Sequence, residues 1–203
     1  MKNRKFTKVA LIALAMVLVC IVSVAGTLAY LTSQTDEVVN TFTVGDVEIT
    51  LDEAKVTDDG KPVDGAARVM ENEYKLIPNH SYTKDPTVHV DADSEDCWVF
   101  VKVDNGIADI EATAGDGYVT IATQMSDNGW SLVDGTQNIY AYEAIAKADQ
   151  DLQVFGSFKV DGDVDGTELA NYSAAKITVQ AYAVQADGFA TAAAAFAATD
   201  WAN

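Results

Sequence analysis

The amino-acid sequence predicts an all-β fold, an antiparallel β-sandwich or barrel ending in a short helix, and three observations predict it. Apolar and polar residues alternate with period two in several short runs, as in Val47, Ile49 and Leu51 against Glu48, Thr50 and Asp52, the pattern of a strand with one buried face. Turn-forming clusters separate those runs: Asp58-Asp59-Gly60, Asp104-Asn105-Gly106, Asp116-Gly117, Asp127-Asn128-Gly129, Asp134-Gly135 and Asp161-Gly162. Asp, Asn and Gly tolerate the positive φ of tight turns. One run, residues 97–103, is apolar on both faces, so a strand lies at the centre of the structure or beneath a cover.

Taken in chain order, residues 1–29 read as a cleavable signal helix. Lys2, Arg4, Lys5 and Lys8 precede a run, 9–26, that is almost wholly apolar, which is the layout of an export signal. The run is close to the shortest that spans a bilayer, so an uncleaved anchor with its charged end inside is the alternative. Thr27-Leu28-Ala29 favours a removable signal, cut between Ala29 and Tyr30, because small residues at the first and third positions suit signal peptidase and polar sequence follows at once. Cys20 sits mid-run behind the bulky Val19, which does not make a lipidation site, and it leaves with the signal.

Residues 30–44 form an extended arm or a first strand. Tyr30 and Leu31 open it, a polar stretch to Glu37 follows, and Val38, Phe42 and Val44 then alternate with Val39, Thr41 and Thr43. Freed by cleavage, such a segment can pair with an exposed sheet edge of a neighbouring copy, whose unpaired backbone groups are a ready template. A strand given by each subunit to the next makes a heterologous contact that does not close, and the product is a fibre. The other course is pairing within its own sandwich.

Residues 45–203 form the sandwich domain. Its first strand covers residues 47–51. Residues 55–72, with Gly60, Pro62, Gly65 and few apolar positions, read as a long exposed loop or mobile hairpin. Weaker alternation marks strands at Val88 and Val90, at Val119 and Ile121, at Ile139 and Ala141, and through Val154, Phe158 and Val160. The two-faced run sets Cys97, Val99, Val101 and Val103 on one side and Trp98 and Phe100 on the other. The second face needs cover, from within the chain or from another molecule. A last strand carries Ala175, Ile177, Val179, Ala181 and Ala183 inward. Thr191 to Thr199 is alanine-rich, with Phe189, Ala192, Ala193 and Phe196 on one helical stripe, and reads as a short helix closing one end of the sandwich.

Composition excludes some partners. The net charge is −18, and removing residues 1–29 takes away four of thirteen basic residues and none of thirty-one acidic ones, leaving −22. Such a surface repels nucleic acid and anionic lipid. Divalent cations, basic proteins and cationic wall layers fit it, and so does plain solubility. Membrane contact is expected only through an uncleaved signal. Cys97 is left without a disulfide partner, so a core must hold the domain; about 170 residues bury roughly 70% of their surface.

Candidate chemistry is sparse, and no enzyme activity is expected. Asp161, Asp163 and Asp165, with Gly166 after the third, resemble the front half of a calcium loop. Its twelfth position is Tyr172 where a bidentate Glu is needed, so an acidic turn is the competing reading. Asp91, Asp93, Glu95 and Asp96 form a second acidic loop. His80 and His89 lack neighbouring zinc ligands and read as exposed structural histidines. No serine-nucleophile elbow and no glycine-rich phosphate loop occurs.

The stretch Gly26-Thr27-Leu28-Ala29-Tyr30-Leu31-Thr32, then Asn40-Thr41-Phe42-Thr43-Val44-Gly45 leading into the 47–51 strand, resembles the TasA and camelysin group of Gram-positive exported proteins processed by a SipW-type signal peptidase. The likeness continues in Leu76-Ile77-Pro78-Asn79 with Lys84-Asp85, where Asn79 replaces the usual glycine of a Pro-Gly turn, and in the closing strand, residues 177–185. The resemblance implies a jelly-roll sandwich, secretion to the cell surface or matrix, and assembly into biofilm fibres by donation of the N-terminal strand, with other copies of the chain or other matrix proteins as partners. Some relatives are described as metalloproteases; this chain lacks a zinc motif to carry that activity. A monomeric surface binding module, dependent on a cation such as calcium, is the alternative.

Overall fold

Nine strands, three short α-helices and one 3-10 turn (Ala108–Ile110) are built from the described residues, 46–115 and 117–199 of this computed structural model. The strands are β1 (Ile49–Asp52), β2 (Ser81–Thr83), β3 (Thr87–Val90), β4 (Cys97–Asn105), β5 (Trp130–Leu132), β6 (Ile139–Tyr142), β7 (Asp151–Gln153), β8 (Ser157–Lys159) and β9 (Ile177–Gln185). The helices are α1 (Ile121–Asp127), α2 (Gly166–Ala170) and α3 (Ala192–Ala197). The chain divides into two units, Met1–Thr43 and Val44–Asn203, and everything described belongs to the second. The signal, the Ala29–Tyr30 cleavage pair and the arm residues Tyr30, Leu31, Val38, Phe42 and Val44 lie outside the described residues.

The fold is mostly β, and every strand pairing among the described residues is antiparallel. One sheet runs β1-β3-β7, a second runs β5-β6-β4-β9, and β2 pairs with β8. The β2–β8 pair continues the first sheet. Ser81 lies opposite Lys159 and His89 opposite Asp151 in one unbroken register, and Lys84 N–H to Gly156 O and Val154 N–H to Pro86 O carry the ladder across the gap. Pro86 has no N–H to give, so the ladder loses one bond there. The run through Val154, Phe158 and Val160, expected as one strand, is therefore two strands joined by the buried Val154 and Phe155.

A single core takes residues from both sheets: Val88, Val90, Leu152 and Phe158 from the first, and Val99, Val101, Val103 and Trp130 from the second. Tyr82 stacks on Phe158, ring centroids 4.8 Å apart, and Tyr74 meets both rings edge-on.

The two-faced strand is β4, and it lies between β6 and β9 as expected of a central strand. Its odd-numbered residues enter the main core; Trp98 and Phe100 enter a second, smaller cluster on the outer face. Cover comes from within the chain. Helix α3 lays Ala195 and Phe196 over that face, Phe100 and Phe196 have centroids 5.6 Å apart, and Trp98 Nε1–H donates to Phe189 O at 3.2 Å. The helix starts where the Thr191 hydroxyl accepts from Ala194 N–H, an N-cap that satisfies one orphan donor. Two details differ from the sequence reading. The helix covers a sheet face and not an end, and its buried stripe holds Ala195 while Ala193 is exposed.

Val119 and Ile121 are not in a strand. Thr120 caps α1 through Thr123 N–H, and Ile121 and Met125, one helical turn apart, are both buried; two alternating residues were too few to separate period 2 from period 3.6. Residues 55–72 form a paired hairpin. Glu53 and Val69 exchange both backbone bonds at 2.8 Å, Val63 N–H donates to Lys55 O, and Asn72 Oδ1 accepts from Val56 N–H. At its tip Gly60 has φ +75°, and a Cβ there would sit 2.7 Å from Tyr82 Cα, so only glycine fits. Asn79, φ +59°, takes the left-handed turn position that asparagine tolerates among non-glycine residues.

Candidate functional site

The site begins with the position of β9. It ends its sheet, and among the described residues its backbone pairs with β4 alone. Its outer edge runs about 30 Å, and no strand among the described residues pairs with it. Its inward side chains Ile177, Val179, Ala181 and Ala183 pack against the core yet stay half-exposed, whereas Val99 and Val101, directly across the ladder on β4, are wholly buried. Both strands turn small or aliphatic side chains inward, but β4 has a paired strand on each side and β9, among the described residues, on one.

Between β9 and β1 lies a cleft of about 970 Å3. Leu51 forms part of one wall, Ile177 and Val179 part of the other, with Tyr74, Leu76 and Leu169 between them. β1 is also the end of its sheet, although at Glu53 the hairpin residue Val69 pairs with its free side. Polar residues share the lining. Lys84 Nζ lies 2.5 Å from Glu53 Oε2, both side chains nearly buried, and Asn72 Nδ2 donates to Glu53 Oε1 at 3.0 Å. Burial, then the charges of Glu53 and Asp85, push the Tyr74 phenol upward, so it stays a neutral donor to Thr83 O.

Beside the cleft, the outer face of the first sheet carries a chain of charges that the sequence reading did not find. His89 Nδ1 is 2.5 Å from Asp151 Oδ1, and His89 Nε2 is 2.9 Å from Asp52 Oδ1. Arg68, from the hairpin, bonds Asp52 through Nε and Asp85 through an Nη at 3.0 Å, and reaches Thr87 Oγ1 at 3.1 Å. Burial works against ionising Asp52, but bonds from Arg68 and His89 hold its carboxyl below the usual range. For His89, burial would lower the imidazole, and the bonds to Asp52 and Asp151 outweigh it and raise it. His80, also half-buried, bonds Asp59 O at 2.9 Å and packs edge-on against Tyr82. Neither histidine is the exposed side chain expected.

The acidic turn uses its carboxylates on its own backbone. Asp161 Oδ1 accepts from Asp163 N–H at 2.8 Å, and Asp165 Oδ1 accepts from Thr167 and Glu168 N–H at 2.7 and 2.9 Å, capping α2. Those N–H groups hold the Asp165 carboxyl below its usual range. Val164 between them belongs to the core, and Asp163 and Asp165 are exposed. Among the described residues, no three His, Cys, Asp or Glu side chains come together in a way that could hold a metal ion. In the second acidic loop, Asp91 Oδ1 accepts from Asp93 N–H and Asp96 pairs with Lys147. Cys97 is buried, and burial together with the Asp96 charge pushes its thiol up to about 11, which leaves it unreactive at neutral pH. No helix among the described residues is long and apolar enough to cross a membrane.

In comparison with known proteins, no family model, curated protein or solved structure matches the chain.

Proposed function

We propose that the chain is a structural, non-enzymatic subunit of a bacterial cell surface or biofilm matrix, exported by a signal cut between Ala29 and Tyr30 and assembled by strand donation. The arm, residues 30–44, of one copy adds to the outer edge of β9 in the next and lays apolar side chains into the cleft beside β1. The observation that carries this reading is the half-exposure of the inward side chains of β9 beside the fully buried Val99 and Val101 of β4. An added strand would bury them and pair along the outer edge of β9 in one step. Val38, Phe42 and Val44 have the alternation such a strand needs. A donor of 15 residues is long enough for a nine-residue acceptor, and head-to-tail donation grows a fibre. On this reading the domain is a jelly-roll-like sandwich short of one strand, and the resemblance to the TasA and camelysin group points the same way.

Negative-stain microscopy of the exported form, with its N-terminus sequenced, tests the reading. Fibres are expected from protein beginning at Tyr30 and none from protein lacking residues 30–44. If the two forms are equally monodisperse at high concentration, the strand-donation reading fails and a monomeric binding module replaces it.

A further inference from the structure

Both ring nitrogens of His89 lie at hydrogen-bond distance from carboxylate oxygens, Nδ1 at 2.5 Å from Asp151 and Nε2 at 2.9 Å from Asp52. A carboxylate only accepts, and a neutral imidazole has one N–H and one bare lone pair. Two such contacts at once are therefore possible only for the doubly protonated ring. The carboxylates sit on different strands, Asp52 on β1 and Asp151 on β7, with His89 on β3 between them. The arrangement crosses the whole sheet. Arg68 extends it from Asp52 to Asp85, tying the 53–69 hairpin to the same face. Asp52 and Asp151 are the charged groups that face His89 from the strands packed on either side; Arg68 acts on it through Asp52.

We propose that Asp151–His89–Asp52–Arg68–Asp85 is a pH-operated clamp across the first sheet, closed while the His89 ring carries two protons and opened at Asp151 when it loses one. The two ends are unequal. The Asp52 side chain is 29% exposed and also held by Arg68, whereas that of Asp151 is 72% exposed. A neutral ring keeps its single N–H on Asp52, and Asp151 swings into solvent. Because His89 is raised in the folded state, its stabilising effect is complete below the ordinary imidazole value, about 6.5, and fades as pH climbs through the raised value. Asp52 is lowered, so its contribution is present above the ordinary carboxylate value, about 3.9, and is lost as pH falls through the lowered one. The clamp holds most firmly in mildly acidic medium, and β1, an edge of the cleft, is what it holds. This inference does not depend on fibre formation.

Melting temperatures of the exported chain at about pH 5.5 and about pH 8, on either side of the ordinary imidazole range, test it, together with ring-nitrogen NMR of His89. With so many carboxylates the whole chain responds to pH, so the readout is the wild-type difference minus that of His89→Gln. Wild type should lose about 2–4 °C more than His89→Gln on going to pH 8, and His80→Gln should behave as wild type. Asp151→Asn, on an exposed side chain that leaves folding intact, should shrink the wild-type difference. NMR should show both His89 nitrogens protonated at the lower pH. Equal pH dependence in wild type, His89→Gln and Asp151→Asn, or a neutral His89 ring at the lower pH, overturns the clamp. If His89→Gln fails to fold, Asp151→Asn and the NMR decide alone.

Discussion

The second sheet presents apolar surface in two places and treats them differently. On the outer face of β4, Trp98 and Phe100 are sealed by α3, seven to twelve residues after the sheet's last strand ends, and both are buried. Along β9, the inward row Ile177, Val179, Ala181 and Ala183 has a described strand on one side only, β4, and stays half-exposed. The first surface is completed by the chain segment that follows it. The second has nothing among the described residues to complete it, although its side chains are as suited to burial as those of β4. On the strand-donation proposal, the closed surface serves stability and the open one takes a partner strand.

Substitutions sharpen that contrast. Trp98→Ala empties a site already closed, so it should destabilise the isolated domain by about 3–5 kcal/mol, as for other buried aromatic truncations, read by urea denaturation, and by the same amount whether or not the protein is assembled. Val179→Ala acts on a half-exposed side chain, so in the isolated domain it should cost less than about 1 kcal/mol. Its larger effect should appear in fibre formation, as a raised protein concentration for the onset of assembly. Were Val179→Ala as costly as Trp98→Ala in the dilute, arm-deleted domain, the cleft would be closed already and the contrast would be lost.

How much of this the sequence disclosed depends on distance along the chain. The double apolar face of residues 97–103 points to a strand that is central or covered, and the alanine-rich segment is legible as a helix though not as the cover, because each signal lies within one short stretch. The α1 helix was missed because Val119 and Ile121 carry too few alternations to define a period. The β7–β8 division was missed because it reflects Pro86 on the facing strand. The charge chain was the least visible. His89 meets a residue 37 positions before it and another 62 positions after it, and no local pattern joins them. The reverse holds for Asp161, Asp163 and Asp165, whose spacing resembles a calcium loop while two of the three carboxylates cap the turn's own N–H groups. A run of carboxylates reports a turn as readily as a ligand set.

Strand donation stands or falls on what fills the cleft between β9 and β1. A photo-reactive amino acid placed at Phe42, in a mixture of isotopically heavy and light copies of the exported protein, gives the most direct answer. Strand donation predicts cross-linked peptides that join the arm of one isotope to segments 169–179 or 70–76 of the other. Links confined to one isotope, showing each arm in its own cleft, or links that avoid those segments altogether, would contradict it.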